Sequence, residues 1–195
     1  MKQIALVVAT LILPLSAETL SRGDRDFAMS HLHASSKLFL DAIAGLSEAQ
    51  WKFKPAPDRW SVAEVAEHLA LSEDFLFTHV TGNVLKSEPA AESKPASREQ
   101  DEQVIAMVRD RSKKGTAPEP LKPSNKWSTR EALAGDFKKS RERNIAYVES
   151  TGDDLRGHTG MKMDGYQWIL LISAHTERHT AQINEVKADP GYPKQ

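Results

Sequence analysis

Residues 60–69 read WSVAEVAEHL and predict the start of a long helix. Ser61 and Glu64 have the spacing of a capping box, in which a hydroxyl and a carboxylate satisfy opposite backbone N–H groups. Trp60 and Val65 occupy the positions of a hydrophobic staple around that box. We therefore expect a helix to begin immediately after Trp60.

The same helix is expected to carry a histidine on its inward face. Val65, His68, Ser72 and Phe75 follow one another at spacings of three, four and three residues. This spacing keeps side chains on one side of an α-helix. His68 can therefore point into a helical core, although it could also border the apolar face and bond to a neighbour.

Three further stretches show helical periodicity, at about residues 21–44, 128–149 and 166–187. The second of them opens with another Trp-Ser-x-x-Glu pattern, so we expect Ser128 and Glu131 to repeat the capping box. Residues 86–125 are rich in Pro, Ser, Lys and Glu and predict a long, partly helical crossover. No alternating strand and no glycine-rich phosphate loop stands out. The sequence predicts an all-α fold, a four-helix bundle with one long crossover.

Composition excludes several classes of function. The 195 residues hold 26 Lys and Arg against 27 Asp and Glu, a net charge of -1. Because no overall basic field is present, we expect no nucleic-acid partner. There is no cysteine, which excludes disulfides, thiolate metal sites and a cysteine nucleophile. A transition metal would have to be bound by some of the seven histidines and by carboxylates.

The N-terminus has the pattern of a signal peptide. Lys2 precedes an apolar run over residues 4–15, and Ser16 and Ala17 supply small residues for cleavage. We expect cleavage after Ala17, a mature domain at residues 18–195, export to the periplasm or medium, and no stable membrane insertion afterwards. An uncleaved anchor or a buried first helix are the alternatives.

The last predicted helix carries two histidines on its core face. Six residues follow one another at spacings of four, three, four, three and four and form its core-facing seam: Trp168, Ile172, His175, His179, Gln182 and Val186. Histidines at i and i+4 can occupy adjacent corners of one coordination shell. With His68 from the other helix, three imidazoles predict a divalent-metal site that leaves positions open for water or substrate.

Two motifs resemble the DinB-like superfamily over nearly the whole mature chain. They are the segment WSVAEVAEHL, preceded by PAP at residues 55–57, and HTERHTAQI at residues 175–183. The resemblance implies a bundle with an up-down-down-up course and a metal site formed by His68, His175 and His179. Arg178 and Gln182 also match the closing pattern and are expected to support the site. A surface salt bridge and ordinary seam packing are their respective alternatives.

The resemblance also implies an activity. Relatives include thiol-dependent S-transferases and isomerases, whose metal activates a low-molecular-weight thiol, and metal-dependent hydrolases. It therefore implies a metal-dependent enzyme of the S-transferase type, with a hydrolase as the alternative. Because Zn, Ni, Fe and Mn all accept imidazole, the ligands do not select among these metals. Export favours the hydrolase, or a non-catalytic exported metal- or ligand-binding bundle, over the S-transferase, because thiol cofactors are mainly cytosolic. We expect a small-molecule substrate, and a homodimer is an open alternative to a monomer.

No catalytic acid or base is identified from spacing. Glu67 and Glu177 flank the predicted ligands but should point sideways or outward. His31 lies at the edge of the first helix's apolar face and could approach the site, but a boundary position is the favoured interpretation. His33, His79 and His158 are assigned no role.

Overall fold

The computed structural model describes residues 20–89 and 95–194. The predicted signal peptide, residues 1–17, lies outside the described residues. Within the described ranges, no helix combines the length and the apolar character needed to cross a bilayer.

The described residues form six α-helices and one small hairpin. The helices are α1 (Arg22–Ile43), α2 (Glu48–Lys52), α3 (Val62–Gly82), α4 (Arg98–Arg109), α5 (Arg130–Ser150) and α6 (Gly165–Lys187). Strands β1 (Thr159–Gly160) and β2 (Met163–Asp164) pair antiparallel. The four long helices α1, α3, α5 and α6 are those predicted from periodicity, and α4 lies in the predicted crossover.

The predicted capping boxes have different outcomes. At α3, the Glu64 backbone N–H donates to Ser61 Oγ and the Ser61 N–H donates to the Glu64 carboxylate, which confirms that box. The second prediction is wrong, because the hydroxyl that caps α5 belongs to Thr129 and accepts from the Ala132 N–H. The repeated sequence pattern therefore does not give a repeated cap.

Two other expectations need correction. Phe75 was placed on the inward face of α3, but its side chain is 44% exposed. One heptad shifts a position by only about 20° around an α-helix, so Phe75 stays on the His68 side of α3. It is exposed because it lines a surface pocket beside Leu121 and Lys126 of the crossover. The sequence also gave no sign of the hairpin, whose turn residues Met161 and Lys162 both have positive φ (51° and 68°). Asn and Gly are the usual residues of such turns.

Helices α1 and α6 run parallel. Near their N-terminal ends, the Tyr166 hydroxyl of α6 donates to the Asp24 carbonyl of α1 over 2.8 Å. Near their C-terminal ends, Lys187 Nζ donates to the Ala42 carbonyl over 3.0 Å. The chain therefore traverses these two helices in the same direction.

Helix α3 runs antiparallel to α6. The His68 ring, near the start of α3, lies 4.5 Å from the ring of His179 in the second half of α6. The His79 ring, near the end of α3, lies 4.5 Å from the Trp168 ring at the start of α6. The order of contacts is thus reversed between the two helices.

Helix α5 runs parallel to α3. Ser140 donates to Asp74 over 2.8 Å, and the rings of Phe77, one turn further along α3, and Tyr147, two turns further along α5, lie 5.1 Å apart. Both α5 and α6 pack against α1 and α3, so α1 and α3 occupy opposite corners of the bundle. The course is up-down-down-up, as the family resemblance implied.

A buried polar layer crosses the bundle between two apolar clusters. Arg141 of α5 and Glu73 of α3 are each only 1% exposed and form a two-pronged ion pair with N–O distances of 2.6 and 2.8 Å. Arg141 also donates to the Leu32 carbonyl and to Ser35 Oγ of α1, and to Thr176 Oγ1 of α6. One guanidinium therefore contacts all four long helices.

A second buried cation attaches α4 to the bundle. Arg156, in the connection between α5 and α6, donates to both carboxylate oxygens of Asp101 in α4, at 2.9 and 2.7 Å. It also donates to Asp164, the N-cap of α6, at 3.0 Å. Because Asp101 is fully buried, α4 is an integral part of the fold and packs along α6.

We expect Glu73→Gln to lower the free energy of unfolding by about 3 kcal/mol, because it leaves the buried Arg141 charge without its anion. Asp74→Asn is the matched control, since Asp74 pairs with Arg143 at the exposed surface and should cost less than about 1 kcal/mol. Urea denaturation of both variants measures the difference. Equal losses would contradict the central role of the Arg141–Glu73 pair.

Candidate metal centre

Three histidines converge at one level of the bundle. The ligand nitrogens of His68, His175 and His179 all lie within 4.8 Å of one another. Their ring centroids are 4.5 to 5.1 Å apart, and His68 is buried while the other two are partly exposed. The structure brings together the three residues that the sequence analysis selected.

The tautomer of His68 is set by the crossover. His68 Nδ1 lies 2.9 Å from the carbonyl oxygen of Leu121. Because a carbonyl can only accept, Nδ1 carries the hydrogen and Nε2 presents its lone pair to the other two histidines. A hydrogen bond from the ring nitrogen that does not bind the metal orients a ligand imidazole and raises the basicity of the other nitrogen.

The ring of His179 is held in the same way by Gln182. His179 Nδ1 donates to Gln182 Oε1 over 2.8 Å, and Arg111 Nη1 approaches the same oxygen at 3.5 Å. Two donors aimed at one atom support its assignment as the amide oxygen. Gln182 therefore orients a predicted ligand, in agreement with the supporting role expected for it.

The donor set fits a divalent transition metal. His68 Nε2 and His175 Nε2 lie 3.4 Å apart. Two nitrogens bound to one tetrahedral ion at the usual Zn–N length are separated by about 3.3 Å. Imidazole suits Zn, Ni, Fe and Mn alike, so the site supports a divalent metal without selecting one.

Burial keeps these imidazoles neutral. Desolvation lowers the pKa of His68, lowers that of His179 to about 3, and places that of His175 well below its usual value. The proximity of the other imidazoles lowers the pKa values of His175 and His179 further. Neutral rings are the form that binds a metal ion, because a proton on the ligand nitrogen competes with it.

Glu67 attaches the crossover to α3 beside the site. Its carboxylate accepts hydrogen bonds from the backbone N–H groups of Ser124, Asn125 and Lys126, at 2.8 to 3.1 Å. Asn125 adopts a left-handed conformation (φ 61°), which Asn tolerates better than most residues. Glu67 points away from the imidazoles, as expected, and fixes the segment that supplies the Leu121 carbonyl.

Arg178 supports the other end of the crossover. Its guanidinium donates to the carbonyls of Val108, Asp110 and Lys113, at and just beyond the C-terminus of α4. A cation is favourable there, because the last carbonyls of a helix carry partial negative charge. Arg178 therefore acts through backbone contacts, and the surface salt bridge considered from the sequence is not what the structure shows.

The three histidines open onto a cleft of about 930 Å³. Its walls are the start of α3, the second half of α6 and crossover residues 111–123. Trp60 lies on one wall with its ring 5.1 Å from that of His68. A bound ion would thus be accessible to small molecules from one side only, since the other side of each ring faces the bundle.

The other residues considered from the sequence lie outside this group. Glu177 pairs with Arg109 and lies 3.9 Å from His31, on the α4 side of α6. His79 contacts Trp168, and His158 Nδ1 donates to the Ser87 carbonyl. None of them contributes to the three-histidine cluster.

Sequence reasoning missed two residues that shape the site. Arg111 has the sequence pattern of an ordinary charged surface residue, but it binds Glu185 through Nε and Nη2 at 2.6 and 2.7 Å. Leu121 acts through its backbone carbonyl, which no side-chain pattern reveals. The one available signal was the apolar Leu121 among the polar residues of the crossover, which predicts an anchoring point.

We expect Gln182→Leu to weaken metal binding about tenfold or more, because it removes the acceptor that orients His179. The matched control is Asn184→Leu, an equal loss of an amide at an exposed position of α6. Chelator competition measures both dissociation constants. An unchanged affinity in Gln182→Leu would show that ring orientation at His179 does not limit binding.

The metal-free protein should lose stability as the pH falls below about 6.5. There the unfolded chain protonates histidines that the folded protein keeps neutral, so protons favour unfolding. For His179, with a pKa of about 3, the loss between pH 7 and pH 5 is about 2 kcal/mol. His179→Gln should reduce the loss measured by denaturation, whereas His33→Gln at an exposed site should not. Identical pH profiles would contradict the burial effect.

Comparisons with known proteins agree with this geometry. The family model described as the DinB superfamily matches residues 31–183. The uncharacterized protein YuaE of Bacillus subtilis is 25% identical over 150 residues, which cover 74% of this chain and 88% of YuaE. The structure is also similar to that of YfiT from Bacillus subtilis, with a TM-score of 0.58 at 16% identity over 90% of this chain and 93% of YfiT. YfiT is described as a probable metal-dependent hydrolase with an unusual four-helix bundle topology. The up-down-down-up bundle and its histidine cluster thus belong to a member of the DinB superfamily.

Proposed function

We propose that the protein is a metal-dependent hydrolase in which His68, His175 and His179 hold a divalent transition metal at the base of the cleft. The observation that carries the proposal is that three neutral imidazoles converge on a point open to a cleft of about 930 Å³. Two of them, His68 and His179, already donate their Nδ1 hydrogens to protein acceptors. Three protein ligands with an open position are typical of catalytic rather than structural metal sites. The description of YfiT as a probable metal-dependent hydrolase supports the same class of reaction.

The chain's own residues position the reacting groups. When bound, a divalent ion supplies Lewis acidity, which lowers the pKa of a coordinated water and polarises a carbonyl. The Leu121 carbonyl and the Gln182 amide keep the His68 and His179 rings in the orientation that binding requires. Trp60 and the crossover line the cleft, so they would exclude bulk water from one side of a bound substrate.

A thiol S-transferase is the second candidate, and one observation favours it. Among the described residues, the potential ligand cluster contains three imidazoles and no carboxylate that could act as a neighbouring base. A thiol is far more acidic than water and needs less help to become a nucleophile. Against this, the signal peptide proposed for residues 1–17 would place the protein where low-molecular-weight thiols are scarce.

We expect His68→Ala and His175→Ala to lose both the bound metal and catalytic turnover, because each removes one of three ligands. Elemental analysis gives the metal content, and activity is measured on a panel of esters and amides in water and on electrophiles with added thiols. His33→Ala, at an exposed position of α1, is the control and should retain both.

The outcomes separate the candidates. Turnover in water alone supports the hydrolase, and turnover that requires a thiol supports the transferase in its place. Bound metal without turnover on either panel would contradict both and leave a metal-binding bundle. Full activity in the metal-free variants would remove the metal from the mechanism.

A further inference from the structure

The cleft carries more positive charge than the chain as a whole. The net charge of the protein is -1, yet the lining of the cleft includes five basic and three acidic side chains. The basic ones are Arg59, Arg111, Lys114, Lys122 and Arg178, and the acidic ones are Asp58, Glu64 and Glu185. An excess of one sign in a cleft attracts ligands of the opposite sign.

Three of the five cations already have partners. Arg111 binds Glu185, Arg178 binds backbone carbonyls at the end of α4, and Lys122 pairs with Glu119. Among the residues that the structure describes, the side chains of Arg59 and Lys114 make no hydrogen bond or ion pair. These two cations face the cleft and are available to a ligand.

The two available cations belong to the segments that flank the histidines. Arg59 directly precedes Trp60, whose ring lies 5.1 Å from the His68 ring. Lys114 follows Arg111, which binds Glu185, six residues after His179 in α6. Both cations line the same cleft as the three histidines.

The acidic residues do not cancel this charge. Glu185 is neutralised by its two contacts with Arg111, and Glu64 is occupied by Lys54 and by the Ser61 N–H. Asp58 remains, exposed and adjacent in sequence to Arg59. Substituting it should therefore strengthen the attraction of an anion.

We propose that the ligand of this cleft carries an anionic group, such as a carboxylate, that Arg59 and Lys114 bind while its other end lies at the three histidines. The inference rests on the proposed function, because it defines the substrate class of the same site. The lining of the cleft also contains the apolar side chains of Trp60, Pro118, Leu121 and Pro123. The substrate class is thus a molecule with a reactive carbonyl, an apolar spacer and an anionic terminus.

The test uses two matched series of probes on the metal-loaded, full-length protein. One series consists of hydroxamates that end in a carboxylate, and the other of hydroxamates of equal length that end in a carboxamide. The hydroxamate group binds the metal in both, so that the ratio of their dissociation constants measures recognition of the distant charge. Isothermal titration calorimetry gives both constants without requiring turnover.

We expect the carboxylate series to bind more tightly than the carboxamide series, with the greatest preference at one chain length. Added salt should reduce the preference, because the cations are near the surface. Arg59→Gln and Lys114→Gln should each reduce it about fivefold, and the double variant should abolish it. Asp58→Asn should increase it, while Lys139→Gln, an equal loss of charge on the exposed side of α5, should leave it unchanged.

Equal affinity for the two series, or a preference that survives in the double variant, would overturn the inference. So would an equal loss in Lys139→Gln, which would indicate an effect of net charge alone. A preference without any hydrolysis would support the inference and contradict only the proposed function. Failure of both series to bind would contradict both.

Discussion

The guanidinium of Arg141 is the contact on which the arrangement of the bundle depends. Its five N–H donors are all used, two on Glu73 of α3, two on α1 and one on Thr176 of α6. Removing such a charge from water is costly, and the cost is recovered only when every donor is satisfied in good geometry. A shift of any long helix along its axis would break one of these bonds, so the pair defines the relative heights of all four.

The relative positions of the three histidines depend on this layer. Thr176 follows His175 directly in α6, and Glu73 lies five residues after His68 in α3. Because Arg141 binds both Thr176 and Glu73, the two helices that supply imidazoles are held at a fixed register close to the site. Glu67 and His68 then fix the crossover to the same stretch of α3.

The sequence was sufficient to predict the long helices and the histidine cluster, because both depend largely on helical spacing. The period of 3.6 residues and the cap at Ser61 identify α3, and the i, i+4 pair with His68 identifies the site. The buried ion pair could not be found in the same way, since Arg141 and Glu73 have the composition of a solvated surface and only tertiary contacts reveal their burial. Thr129 displaced Ser128 as the cap of α5 because the chain enters that helix one residue later than the motif indicates. The contacts of Arg111 and Arg178 depend on the path of a crossover whose sequence has no strong period.

The up-down-down-up course has a consequence for how such a protein can diversify. Parallel neighbours such as α3 and α5 cannot be joined by a tight turn, so the topology itself demands a connection long enough to return along the bundle. Here that obligatory connection forms a wall of the cleft, while the ligands and the buried polar layer are contributed by helices. Residues 114–120 can therefore change in sequence or length with little effect on the helices, provided that the Leu121 carbonyl keeps its bond to His68. The fold thus separates the helices that hold the histidines from much of the segment that shapes the cleft.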